Sequence, residues 1–294
     1  MPRVTLLAGA AAIAAVPPAA AQTLHYEGSV SVASGEYIFT DRTTSWSVLT
    51  GLALGAGPFT FRLTMPVYAQ NTTLLSGSTT GPLPTGGPHS GDVSDSSRSR
   101  RGGGGGGNGG MGTSLLAGAP GPIEPPATAV TGFEVQPGDP SVAAAVELLR
   151  EGRTGVTLSA GAKVPLTDTT RFGTGAWDVG GSVSISRTLG LHTLIGVSLS
   201  YWHLGDLPDL DLQDPVSVSG GVSFLATSGW GVSASASGAR SIVAGFEGPY
   251  TLGGGVAYLS RRGLISLEVA AGLSETAPDV SVALSWRVGI LRTQ

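Results

Sequence analysis

The chain has 294 residues, a formal net charge of −4 at pH 7 and no cysteine. It contains 47 glycines, and only 12% of its residues are charged, whereas about a quarter are charged in an average soluble domain. The acidic balance excludes a nucleic-acid partner, which would need a clustered basic face, and the lack of cysteine excludes a disulfide scaffold.

The first 21 residues have the composition of a secretory signal peptide. Met1-Pro2-Arg3 gives a basic start, and 4–16 is an uncharged apolar run. Small residues precede Ala21, as is typical of a cleavage site. The sequence therefore predicts a signal peptide over 1–21. The alternative is an uncleaved anchor helix, but such a helix needs about 20 apolar residues, more than this run provides.

From Leu24 onward, segments of roughly ten residues alternate between apolar side chains and small or polar ones. Val183 and Ile185, for example, alternate with Ser182 and Ser184. Successive side chains of a strand point to opposite faces, so each segment is predicted as a strand with one apolar face and one polar face. The predicted strands cover 24–32, 46–54, 59–68, 141–150, 156–164, 177–186, 191–201, 216–224, 230–238, 250–258, 265–273 and 280–290.

The segment 141–150 also fits a helix, because it is rich in alanine and leucine, which are strong helix formers. Its Val142, Val146 and Leu148 nevertheless share one face of a strand, and the alternating pattern resumes directly after it. We predict a strand here.

The segment 71–138 breaks the pattern. It is rich in glycine, proline and serine and contains six consecutive glycines at 102–107. Such a composition buries too little apolar surface to offset the entropy of ordering, so a flexible outer loop is predicted. No Gly-Lys-Ser/Thr closes the glycine run, which argues against a phosphate-binding loop, and no cofactor is expected.

The connections between the predicted strands alternate in length. The second, 55–58, is a tight turn, whereas the first, 34–45, and the third, 71–138, are long. Up-and-down transmembrane barrels have short periplasmic turns and long outer loops, and strands of about ten residues span their apolar band. The pattern predicts an all-β fold, a transmembrane up-and-down antiparallel β-barrel of about 12 strands over 22–290. The alternative is a secreted β-sandwich, which does not require this alternation.

Aromatic residues lie mainly near the predicted strand ends, as an interfacial girdle would require. They are Trp46, Tyr68, Trp177, Tyr201, Trp202, Trp230, Tyr250 and Tyr258.

Seven charged residues of the predicted strands share the polar face. A charge on the lipid face near mid-depth would cost roughly 2–4 kcal/mol, so this placement favours a barrel with a polar lumen. These charges either pair and plug the lumen or line a polar path. The lumen-facing candidates are Glu27, Arg62, Glu147, Lys163, Asp178, Glu268 and Arg287.

Two features of the predicted outer rim are weaker candidates. Asp206, Asp209, Asp211 and Asp214 form an acidic loop, and hard cations use several carboxylates. The spacing is not that of an EF-hand, so a solvated acidic loop is the simpler interpretation and no metal is predicted. His203 lies where an outer-membrane lipase would keep its catalytic residues, but no motif ties it to a nucleophile, and interfacial packing explains it.

Four short motifs carry a resemblance to a known family. They are Lys163-Val164-Pro165, Phe172-Gly173-Thr174-Gly175-Ala176-Trp177-Asp178, Tyr201-Trp202-His203-Leu204-Gly205-Asp206 and Gly272-Leu273-Ser274-Glu275-Thr276-Ala277-Pro278-Asp279. Over 138–288 the chain resembles the "MetA-pathway of phenol degradation" family of bacterial outer-membrane proteins, whose members are often labelled transporters. The resemblance implies a barrel in the outer membrane of a Gram-negative cell and passage of small solutes, hydrophobic or aromatic ones among them. It implies no catalytic or ligand-binding residue.

Three functions remain in order of preference. The first is a channel or transporter for a small-molecule solute, surrounded by outer-membrane lipid. The second is a structural or anchoring outer-membrane protein with a plugged lumen. The third is an outer-membrane lipid-modifying enzyme, and we do not predict an enzyme.

Overall fold

A computed structural model of the chain describes residues 22–37, 42–71, 76–77, 84–85, 133–166, 175–205 and 212–292. The predicted signal peptide and most of the predicted loop at 71–138 lie outside these ranges. Among the described residues, no helix is long and apolar enough to cross a membrane.

The regular structure of the described ranges consists of β-strands. In chain order they are β1 (Gln22–Gly35), β2 (Thr43–Ala56), β3 (Phe59–Gln70), β4 (Ser76–Gly77), β5 (Pro84–Thr85), β6 (Glu134–Pro137), β7 (Ser141–Glu151), β8 (Thr154–Lys163), β9 (Asp178–Leu189), β10 (Thr193–His203), β11 (Val216–Leu225), β12 (Trp230–Ala239), β13 (Tyr250–Leu259), β14 (Gly263–Gly272) and β15 (Val280–Arg292).

Twelve of these strands form a closed antiparallel ring. Neighbours in the chain pair with each other from β7 to β15, β1 pairs with both β2 and β15, and β3 pairs with both β2 and β7. Within the described ranges, no long strand is left with an unpaired edge, because closure pairs the first strand with the last. The all-β, up-and-down, twelve-stranded barrel predicted from the sequence is confirmed, including the strand at 141–150.

The wall is apolar outside and small or polar inside. On β10, Val197 and Leu199 are 59% and 52% exposed and point outward. Ser198 and Ser200 point inward, and the Ser200 hydroxyl lies 2.5 Å from that of Ser217 on β11. An exposed apolar band around a polar interior is the arrangement of a barrel that faces lipid.

The predicted short connections are tight turns, and all lie at the end of the barrel that carries Gln22. Gly57, Gly152, Gly190 and Gly229 have φ angles of 61°, 57°, 63° and 87°. This left-handed region disfavours residues with a Cβ, which accounts for glycine at the turns. β9 continues to Leu189, three residues beyond its predicted end, so the turn that follows it is shorter than expected.

The structure corrects where the predicted 71–138 loop ends. Glu134–Pro137, placed in that loop, form β6 and pair with the last four residues of β3. The strand is then interrupted at Gly138, whose backbone N–H donates to the Pro66 carbonyl over 2.9 Å. β7 continues along the same side of β3. A glycine fits here because the ring of Tyr68 occupies the space of a Cβ.

Most of the buried residues lie toward the end opposite the tight turns. Lys163, Asp178, Gln70 and Leu204 are all in this group. Leu204 packs with Leu212, and Trp202 and Ile242 flank them. The lumen is therefore most tightly filled near the end that carries the long connections.

Candidate functional site

The lumen contains a cavity of about 670 Å³. Four of the seven predicted lumen-facing charges line it, and they come from four different strands: Glu27, Arg62, Lys163 and Arg287. The structure thus brings together residues that are up to 260 positions apart in the chain.

Glu27 holds two arginines at once. Its Oε2 lies 2.8 Å from Nε of Arg62, and its Oε1 lies 2.6 Å from Nε of Arg287. The Glu27 side chain is 16% exposed, whereas the two arginine side chains are 43% and 49% exposed. The carboxylate is thus sheltered by the guanidinium groups, and these groups remain open to the lumen.

Small residues of β2 allow this contact. Arg287 is the direct neighbour of Glu27 across the β1–β15 ladder, but Arg62 lies on β3, with β2 in between. The inward residues of β2 at this height are Gly51 and Ala53, and Ala53 is 4% exposed. Arg62 can therefore cross β2 to reach Glu27, and a larger side chain at either position would stand in its path.

A second charged cluster lies nearer the outer end. Lys163 Nζ is 2.6 Å from Asp178 Oδ2 and 3.9 Å from Asp139 Oδ2, and all three side chains are buried. The other carboxylate oxygens accept backbone N–H groups, from Gly205 to Asp178 and from Leu166 to Asp139, each over 2.9 Å. Buried charges persist only when paired and hydrogen-bonded, as they are here.

Asp139 is the member of this cluster that sequence reasoning missed. It lies between the predicted loop 71–138 and the predicted strand 141–150. The break at Gly138 and Pro140 turns it toward Lys163, and no periodicity marks such a position.

The wall formed by β11 to β14 differs from the charged wall. Its inward residues are mostly serine, glycine and alanine, and Ser233, Ser235 and Ser237 of β12 are all exposed. By contrast, the inward-facing Ser29, Ser31 and Ala33 of β1 are buried. The open part of the lumen therefore runs along the small-residue wall.

Glu268 lies on this open wall. Together with Ser233, Ser235 and Gly253 it lines a second cavity of about 310 Å³. No described residue forms an ion pair with it, and its side chain lies beside Gly255. Glu147 lines neither cavity: it lies near the tight-turn end, where Arg150 Nε approaches its Oε1 to 2.9 Å.

Trp202 is a correction to the predicted girdle. The sequence predicts it in the girdle near a strand end, but β10 extends to His203 and Trp202 lies on the same inward face as Ser198 and Ser200. Its indole lies over Gly180 of β9 and reaches Gly161 of β8. It therefore lines the 670 Å³ cavity rather than the membrane interface.

The outer rim holds a compact polar contact. Tyr201 donates to Asp214 Oδ2 over 2.6 Å, the Leu204 backbone N–H donates to Asp214 Oδ1 over 3.1 Å, and His203 Nδ1 lies 3.1 Å from the same carboxylate. The Tyr201 hydroxyl, followed by His203, lowers the pKa of Asp214 below its ordinary value. The contact fastens 212–215 to the end of β10.

The weak cation candidate of the acidic loop lies mostly outside the part of the chain that the structure describes. Asp206, Asp209 and Asp211 lie outside the described residues, and Asp214 is engaged as above. Within the described ranges, no group of three or more histidine, aspartate and glutamate side chains could hold a metal ion.

The barrel has a solved counterpart. The crystal structure of the COG4313 outer membrane channel from Pseudomonas putida F1 matches with a TM-score of 0.57 at 10% identity, over 93% of this chain and 97% of that chain. The chain has the fold of this outer-membrane channel. The barrel fold that the sequence resemblance implies is therefore confirmed.

Weaker likenesses are found to the KdgM porin in complex with disordered oligogalacturonate and to the CymD monoaromatic hydrocarbon channel. Their TM-scores are 0.47 and 0.45, at 4% and 9% identity, over 92% and 91% of this chain and 99% and 88% of theirs. No family model and no curated protein matches the chain.

Proposed function

We propose that the protein is a channel of the Gram-negative outer membrane through which small solutes pass along the wall of β11 to β14. The observation that carries this proposal is the run of exposed inward serines at 233, 235 and 237, which covers the middle and outer parts of β12. Inward residues that stay exposed indicate a water-filled path past the clusters on the opposite wall. The export signal over 1–21 and the lipid surroundings are part of the same proposal.

The polar lumen supports passage of small polar solutes first. Hydroxyl groups and glycines dominate the open wall, and charged groups line the rest. Tyr68 and Trp202 also line the larger cavity. These two aromatic rings support passage of aromatic solutes. Apart from them, the proposal that aromatic solutes pass rests on the family resemblance.

Planar-bilayer conductance of the refolded barrel tests the proposal. Folding is first verified by heat-modifiable gel mobility, which reports a detergent-resistant barrel. We expect stepwise conductance from the folded protein and none from the heat-denatured sample. A folded band without conductance would overturn the proposal.

The second candidate, a structural barrel with a plugged lumen, is favoured by one specific observation. The inward side chains of Ser29, Ser31 and Ala33 on β1 are buried, and the Lys163 cluster fills part of the lumen near the end that carries the long connections. The same bilayer measurement separates the two candidates, because a plug permits no current.

The enzyme hypothesis has a geometric obstacle. Ser198 and Ser200 face the lumen, whereas His203 lies on the outward face of the same strand and contacts Asp214. A nucleophile and its base must lie within hydrogen-bonding distance of each other, and these serines and this histidine are on opposite sides of the wall.

A further inference from the structure

The cluster of Glu27, Arg62 and Arg287 carries a local surplus of positive charge on one side of the lumen. Two guanidinium groups share one carboxylate. Arginine stays protonated at any physiological pH, so the cluster has a net charge of +1 whenever Glu27 is ionised.

The arginines are bound to Glu27 in a way that leaves them able to bind something else. Each ion pair is made through Nε, and neither side chain makes another hydrogen bond or ion pair within the described part of the chain. The terminal nitrogens are the part of the guanidinium fork that pairs with an incoming carboxylate.

Exposure distinguishes these arginines from Lys163, the other cation of the same cavity. The Lys163 side chain is 8% exposed and lies between Asp139 and Asp178, so two carboxylates more than balance its charge and it offers a solute no free cation. The arginine side chains are close to half exposed. The cation that a solute meets in this cavity is therefore the arginine pair.

The surroundings supply further donors. Thr64, Ser285 and Ser266 line the same cavity, and each has a hydroxyl group. A local surplus of charge beside a low-dielectric wall attracts ions of opposite sign to that side of the lumen.

We propose that Arg62 and Arg287, positioned by Glu27, form a binding site for the carboxylate of small organic anions on their way through the barrel. The proposal rests on the proposed function and names its substrate class. Glu27 is a positioning residue: it fixes the two forks and also weakens the site, because its own charge repels the anion.

Liposome swelling with two matched sugars tests the site. Glucose and glucuronate have nearly the same size and differ by one carboxylate. In liposomes that contain the folded protein, we expect glucuronate to enter at least as fast as glucose. Arg62→Gln and Arg287→Gln should each slow glucuronate about tenfold, since one charge-assisted hydrogen bond is removed, and should leave glucose unchanged. Arg62→Lys should recover part of the glucuronate rate.

Glu27→Gln gives a prediction of opposite sign. It removes the competing negative charge, so glucuronate should enter faster relative to glucose than in the unaltered protein. If the cluster merely fastened β1, β3 and β15 together, losing either partner would change both sugars alike. Arg187→Gln is the matched control, because Arg187 is an exposed arginine on the outward face of β9 and should change neither rate.

The outcomes separate this inference from the function on which it rests. No swelling with either sugar would overturn passage itself. Entry of glucose but slower entry of glucuronate by the unaltered protein would overturn the anion site alone. That comparison needs no variant, so the proposal stays testable even if the arginine variants fail to assemble.

Discussion

Lys163 and Asp178 face each other across the β8–β9 ladder, with Nζ 2.6 Å from Oδ2, and both side chains are buried. Lys163 ends β8 and Asp178 begins β9, so the pair joins the two strands at the point where the wall gives way to a long connection. Asp178 also accepts the Gly205 N–H, which ties the end of β10 to the same point.

Replacement of Lys163 by methionine should destabilise the barrel strongly. The two carboxylates of Asp139 and Asp178 would remain buried without their cation, and breaking a buried ion pair in this way costs about 3–5 kcal/mol. The heat-modifiable gel band should disappear at a clearly lower urea concentration than in the unaltered protein. Ser219→Ala, an inward but exposed position of the open wall, serves as control, and an equal loss of stability there would contradict the role of the pair.

The two faces of β10 should respond differently to the same substitution. Val197 points outward and is 59% exposed, whereas its neighbour Ser198 lines the lumen cavity. Val197→Arg places a charge in lipid at a cost of roughly 2–4 kcal/mol near mid-depth. Assembly into lipid vesicles should therefore fall for Val197→Arg and persist for Ser198→Arg. Equal assembly of both variants would show that the face assignment is wrong.

Sequence reasoning predicted the wall of this barrel well because the wall is a local property. Alternation of side chains along a strand depends on two neighbouring residues, and the length of a connection is read directly from the chain. Glu27, Arg62, Lys163 and Arg287 could thus be assigned to the polar face of their strands before any strand was paired with another.

The contacts between these charges depend on the register between neighbouring strands. The alternation of apolar and polar residues along one strand does not predict that register. Glu27 meets Arg62 because Glu27 pairs with Gly51 and Arg62 pairs with Ala53, and the Gly57–Pro58 turn sets only the second of these two registers. Trp202 shows the same limit: two residues at the end of β10 decide whether an aromatic ring lies in the interface or in the lumen. Asp139 enters the site through a break in a strand, which no periodic pattern indicates.

The pKa of the Asp214 carboxyl should lie below the ordinary aspartate value of about 3.9. Its pKa is lowered first by the Tyr201 hydroxyl and then by His203. A lowered pKa means that the contact stabilises the folded rim above the pKa of the unfolded chain and is lost as the pH falls through the pKa of the folded state.

Tyr201→Phe tests this assignment. Removing the strongest donor should raise the pKa of Asp214 toward its ordinary value, as followed by carbon NMR of the labelled carboxyl group. His203→Gln should raise it less, because His203 is the second cause. A larger effect from His203 than from Tyr201 would reverse the proposed order.

The packing of Trp202 on Gly180 gives the last prediction. A Cβ at Gly180 would overlap the indole, lying 2.7 Å from its Cγ, so Gly180→Ala should push the ring away from the wall and into the cavity. Overpacking of this kind costs about 1–3 kcal/mol, and it should also lower the single-channel conductance because the ring would narrow the lumen. Gly196→Ala is the control: this glycine also faces inward, and its added Cβ would meet its nearest neighbour at an ordinary 3.6 Å. The double variant Gly180→Ala/Trp202→Ala should restore the conductance. If it does not, displacement of the indole is not the cause of the loss.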